Sequence, residues 1–219
     1  MAHDADKESG GSWRDRAVDR SLGSAREQAL DRSNRFIAAA VEALAETNRL
    51  DFTVQDVVER AGLSLRSFYK HFASKEELLL ALFEELIAAF VANLRAEVEA
   101  EDDPLDQLRA YVMGFHSRAQ RAPASGGRAL GLFHLRMAEG RQDDFARELE
   151  PQIALLREIV DRGVEVGRFR RDIGPATLTL LLTETLIVAA QMSVFEIRLT
   201  GTQLAVDDLW AWCARAVLP

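Results

Sequence analysis

Apolar residues recur along this chain at spacings of three and four, and nowhere alternate one by one over a useful length. That is the helical period, so the pattern predicts an all-α protein in two unequal parts. Between Phe52 and Leu80 the predicted helices are short and closely punctuated. Val54, Val57, Val58 and Ala61 give a first helix its apolar face, with Thr53 as N-cap and Asp56 completing an imperfect capping box. Gly62 stands where a helix must end in a left-handed residue, a conformation that costs glycine little. Ser64 caps a second helix, in which Phe68 and Phe72 lie four apart and share a buried face. Leu65, Arg66, Ser67, Tyr69, Lys70 and His71 are left pointing at least partly away from the core. Ser74 to Glu77 is a capping box that opens a third helix. Helix, short glycine turn and helix with a polar, basic outer face is the helix-turn-helix pattern.

The flanking chain is also helical in pattern. Residues 26 to about 47 carry an inner stripe of Phe36, Ile37, Ala40, Val41 and Leu44. Ser74 to about Ala100 reads as one long helix, with its first turn in the small part and Leu86, Phe90, Leu94 and Val98 in the large one. Asp103 caps and Pro104 opens the next helix, to about Arg121. A Pro-Ala-Ser-Gly-Gly loop follows, then helices over 128–140, 143–169, 175 to about 200 and 207–218.

Composition narrows the function. At 48% hydrophobic and 28% charged, the 219 residues suit a globular protein with a core. The single cysteine, Cys213, permits no disulfide within the chain. The first twenty residues lack the apolar stretch of a signal peptide, and Glu184, Gln191 and Glu196 interrupt the most membrane-like segment. The net charge is −8, yet no acidic residue falls between Ala61 and Lys75, where Arg66, Lys70 and Lys75 cluster. A local basic face can meet phosphate on an acidic chain. No cofactor or metal site is indicated: no Cys-x-x-Cys pair is present, and the residues three before His71, His116 and His134 are Phe68, Met113 and Gly131 rather than the Glu of a di-iron bundle. With no glycine-rich phosphate loop either, the reading is not an enzyme.

Thr53, Ala61-Gly62, Ser64, Tyr69-Lys70-His71-Phe72 and Ser74-Lys75-Glu76-Glu77-Leu78 together resemble the DNA-binding region of TetR-type transcriptional regulators. The resemblance covers roughly the first third of the chain, and the rest matches in helical layout. Arg66 departs from it, because many members have a small residue at that position. Residues 1–25, polar and charged with Gly10-Gly11, read as a flexible arm, and the resemblance implies a DNA-binding domain over 26–80 and a C-terminal domain over 81–219 that binds an effector and dimerises. In the arm, Arg14, Arg16, Arg20 and Arg26 are weighed as minor-groove contacts against a solvated tail. It also implies a cytoplasmic homodimer, paired through residues 175–218, on a palindromic operator in double-stranded DNA. Leu178, Leu181, Leu182, Thr185, Ala189, Met192, Phe195 and Leu199 are the apolar positions offered for that pairing.

The residues then take expected roles. Arg66 suits a bidentate contact to guanine and Leu65 a thymine methyl. Ser67 suits a base or a phosphate. Tyr69, Lys70 and His71 suit phosphates, as do Lys75 with the free amides at the start of the Ser74 helix and Thr53 at its own helix start, and Ser64 is a further DNA-binding candidate. Phe90, Tyr111, Phe115, His116, Phe133, His134, Met137 and Gln191 are the candidates for a small, mostly apolar effector, each weighed against a place in the core. A DNA-binding dimer without effector is the alternative reading, and a helical-bundle enzyme a further one.

Overall fold

The computed structural model describes residues 12–47, 49–121, 127–199 and 201–219, apart from the side chains of 14–17 and 19. Among the described residues there are nine α-helices and no strand: α1 (Trp13–Thr47), α2 (Val54–Ala61), α3 (Leu65–His71), α4 (Lys75–Glu99), α5 (Pro104–Arg121), α6 (Gly127–Gly140), α7 (Gln142–Glu165), α8 (Pro175–Val194) and α9 (Val206–Val217). They build two apolar cores. One, the head, gathers Phe36, Ala40 and Leu44 of α1, Val57 and Val58 of α2, Phe68 of α3 and Leu78 and Leu82 of α4. The other, the body, gathers Phe90 and Leu94 of α4, Leu108 and Val112 of α5, Leu156 and Val160 of α7, Leu182 and Leu186 of α8 and Cys213 of α9.

Aromatic packing sets the head. The Phe36 ring meets Phe68 edge-on at 5.4 Å and Phe72 at 6.2 Å, while Phe68 and Phe72 lie 5.7 Å apart. Such pairs add about 0.5–1.5 kcal/mol each beyond their buried area. Gly62 adopts φ 61° and ψ 36°, as the turn requires, and Arg35 donates to the Ala61 carbonyl beside it. The capping box at Thr53 is complete: its hydroxyl accepts from the Asp56 N–H, and the Asp56 carboxylate accepts from the Thr53 N–H. These bonds hold the Asp56 carboxyl below its ordinary pKa.

Several expectations are corrected. The arm expected over residues 1–25 is helical from Trp13, so it is continuous with α1; residues 1–11 lie outside the described residues. The stretch from Trp13 contains no proline and only Gly23 as a weak helix former, so nothing in it ends the helix. Arg20 and Arg26 are exposed on it, and the side chains of Arg14 and Arg16 are outside the description. Val41 faces solvent, with Ala39 and Ala43 taking its place in the inner stripe. The Pro-Ala-Ser-Gly-Gly loop lies largely outside the described residues.

Helix α7 ends at Glu165, and Phe169 folds back so that its N–H donates to the Gly163 carbonyl. Helix α8 ends at Val194, six residues before the expected end. Glu196 takes φ 55°, and the Ile197 N–H reaches back to the Met192 carbonyl. That is the left-handed helix stop usually made by glycine. Without a glycine to mark it, the apolar run conceals the stop.

Candidate nucleic-acid interface and body cavity

The outer face of α3 is built by its inner one. Phe68 is fully buried, which turns Leu65, Arg66, Tyr69 and Lys70 outward, and all four are exposed. Ser67 is half-buried, and the Ser64 hydroxyl accepts its N–H at 3.1 Å, fixing the first turn. Arg66 and Lys70 are one helical turn apart on this face.

Two residues expected at phosphate are engaged inside the head. The Lys75 ammonium donates to the carbonyls of Leu50 and Phe52 and lies 4.5 Å from the centre of the Phe52 ring. Burial pulls its pKa down. It ties the start of α4 to the loop that leads into α2. His71 is half-buried, with Nδ1 3.1 Å from the Ser33 hydroxyl and its ring beside Phe36. It therefore fastens α3 to α1 instead of facing outward. Thr53 is exposed, but its hydroxyl already donates to Asp56 at 2.9 Å.

The effector candidates divide. Phe90, Phe115, His134 and Gln191 line a cavity of about 160 Å³ walled by α4, α5, α6, α7 and α8. The others do not line it. Tyr111 is core: its hydroxyl donates to the Gln152 carbonyl at 3.0 Å, and burial raises its pKa. Phe133 packs against the head core beside Leu130. Met137 is buried away from the cavity. His116, expected at the surface or at an effector, is 2% exposed, with both ring nitrogens unpartnered, and burial lowers its pKa. It borders a separate groove of about 620 Å³ along the outer face of α8, shared with Val188 and Leu199. That groove is the larger, but its walls do not reach the head. The smaller cavity has α4 and α6 as walls, and both helices also contribute to the head core.

Periodicity did not single out Phe83 or Arg118, which also line the cavity. Phe83, buried on α4, stacks on His134 at 4.6 Å, while Phe145 stacks on His134 at 4.3 Å. Between those rings the His134 pKa is pushed down to about 4 by burial, and Nε2 has no partner. The only sequence signal of Arg118 was a cation one turn from the apolar stripe of α5.

A glycine-turned helix pair with an exposed cationic second helix, set on a larger helical body, is the helix-turn-helix architecture of the DNA-binding class. Residues 36–82 match the family model for bacterial regulatory proteins of the tetR family. The HTH-type transcriptional repressor KstR2 of Mycobacterium tuberculosis is 25% identical over 146 residues, 67% of this chain and 73% of its own length. The fold is similar to that of a TetR transcription regulator from Haloarcula marismortui, with a TM-score of 0.69 at 20% identity over 86% of this chain and 99% of that one. It is also similar to the transcriptional regulator FadR from Bacillus subtilis in complex with stearoyl-CoA, with a TM-score of 0.62 at 19% identity over 83% and 94%. Residues 36–82 are thus similar to the tetR-family DNA-binding region, and the remainder of the chain shares the fold of such regulators.

Proposed function

We propose that this chain is a cytoplasmic homodimeric repressor, held on a palindromic operator by α3 and released by a small, mostly apolar effector in the body cavity. The observation that carries the release step is the double use of two helices. α4 places Leu78 and Leu82 in the head core and Phe83, Ile87 and Phe90 on the cavity. α6 places Ala129 and Leu130 against the head core and Gly131 and His134 on the cavity. A ligand that spreads the cavity wall must move a wall of the head, so it prefers one head placement over another.

Support for the dimer comes from α8 and α9. Leu180, Leu181, Val188 and Trp212 are exposed, an apolar surface of the kind that pairs between copies. Leu178 and Leu182, expected in the pairing, are instead core residues of the single chain. The proposed pairing therefore uses the other side of α8. Among the described residues α8 alone is long and apolar enough to cross a membrane, and it packs on α5, α7 and α9.

The test is fluorescence anisotropy with DNA flanking the gene, at fixed salt, against a scrambled duplex, because non-specific affinity depends steeply on salt. Preferential binding at two chains per duplex is the expected result, and equal affinity for both duplexes would refute operator recognition. A hundredfold release by effector requires about 2.7 kcal/mol of coupling, and DNA must then weaken effector binding equally. A DNA-binding dimer that no effector releases would leave the alternative reading in place.

A further inference from the structure

The cavity is apolar except for a few groups, and one of these carries a charge that nothing balances. Arg118 places its guanidinium 4.5 Å from the centre of the Phe90 ring, and its Nη2 donates to the Leu86 carbonyl at 3.2 Å. No carboxylate pairs with it among the described residues, and the nearby charge it feels is the like charge of Arg121. Burial and that repulsion pull its pKa down, but a guanidinium does not lose its proton in a protein. Leaving such a cation unpaired is costly, and an anion seated beside it offsets the cost. His134 cannot share this role near neutral pH, because its pKa of about 4 leaves it uncharged.

The cavity's volume suits a compact apolar group. At about 160 Å³ it is close to the ~150 Å³ of an engineered apolar cavity that accepts benzene. Phe83, Phe90 and Phe115 supply flat apolar walls, and Gln152 and Gln191 are further polar residues of the lining.

Resting on the effector reading above, we propose that the effector is a compact monocarboxylate with one ring or a short branched chain, its carboxylate seated on Arg118 and its apolar part along Phe83 and Phe115. A guanidinium fork matches a carboxylate, and with Nη2 engaged at Leu86 its other N–H groups are the ones left to meet it.

Three compounds of one size test charge and cavity separately: benzoate, benzamide and benzylamine, measured by ligand-observed NMR and thermal shift on the full chain at millimolar concentration. Benzoate is expected to bind about tenfold tighter than benzamide, with benzylamine weakest, the ordering that a desolvated charge pair imposes. Arg118→Gln keeps a donor for Leu86 and should erase the preference for benzoate while leaving benzamide unchanged. Arg118→Lys should keep part of the preference. The unliganded Arg118→Gln protein should melt no lower than the parent, since it sheds an unpaired charge; a purely structural arginine would instead lower the melting temperature and weaken all three compounds alike. Equal binding of benzoate and benzamide to the parent overturns the carboxylate assignment and leaves the effector cavity standing. Binding of none of the three overturns the compact monocarboxylate, and with it this cavity as a site for a one-ring ligand.

Discussion

Arg66 and Lys70 share one exposed face but differ in what they can do with DNA. A guanidinium can bond two acceptors on guanine at once, whereas an ammonium acts mainly as a point charge on phosphate. Arg66→Ala is expected to flatten the base preference at one position of each half-site, about 1–3 kcal/mol, as read by competition against singly substituted duplexes. Lys70→Ala is expected to weaken every duplex alike and to lower the slope of log affinity against log salt by about one. Identical profiles for the two variants would end that division of labour. Lys75 is expected to act in stability instead. Lys75→Met strips the donor from the carbonyls of Leu50 and Phe52, so urea denaturation should show a loss of about 1–3 kcal/mol. The salt slope of DNA binding should stay as it was; a reduced slope would return Lys75 to the phosphates.

Glu148 adds a pH dependence at the same scale. It is buried in α7, and its pKa is pushed up to about 7, first by burial and then by the Glu84 carboxyl of α4 that shares a hydrogen bond with it. Asp144 adds to the rise and Arg147 opposes it. Between the ordinary value of 4.5 and about 7, the folded chain holds a proton that the unfolded chain has released. Stability therefore falls as pH rises through that window and levels off above it. Glu148→Gln should flatten this part of the melting curve and raise the melting temperature at pH 8 by roughly 2–4 °C, the shift that about 1 kcal/mol gives a chain of this size. An unchanged pH profile would show that Glu148 holds no such proton.

At the scale of elements, the head is assembled from local signals and the body from close approaches. Helices α2, α3 and α4 each start on a side-chain cap that is visible in sequence, Thr53, Ser64 and Ser74. Helix α7 and the turn after it depend on a contact with no such signal. A Cβ on Gly163 would fall 2.1 Å from the Phe169 ring, which folds back across the helix at that point. Gly163→Ala should therefore displace Phe169 from the body core and cost about 1–3 kcal/mol in chemical denaturation, the range for overpacking. A stability unchanged by the alanine would mean that the turn shifts freely.

For the whole molecule, the proposed reading of DNA needs two paired heads, and the exposed side of α8 is the surface proposed to pair them. Leu181 and Val188 are exposed on α8, so replacing either with Glu should leave the single chain folded. Sedimentation velocity is expected to show Leu181→Glu as a monomer at micromolar concentration, with a circular dichroism spectrum like the parent's and with operator affinity lost. A dimer that survives both substitutions would place the pairing on another face.

How much of this was legible along the chain follows from how far apart the interacting residues lie. Caps, the left-handed turn at Gly62 and the helical period depend on residues within four positions of each other, so the all-α class, the helix-turn-helix and the outward set of Leu65, Arg66, Tyr69 and Lys70 could be read directly. The fate of Lys75 depended on carbonyls twenty-three and twenty-five residues away, and that of His71 on Ser33, thirty-eight residues away. Both looked equally free to meet phosphate in the sequence. The cavity is more remote still, since five helices must pack before Phe83, Arg118 and His134 face one space while Tyr111, Phe133 and Met137 are drawn elsewhere. Apolar periodicity says that a side chain is buried, because one face of a helix must leave water. It does not say against which helix, because that depends on long-range packing, and here that packing separates core from cavity.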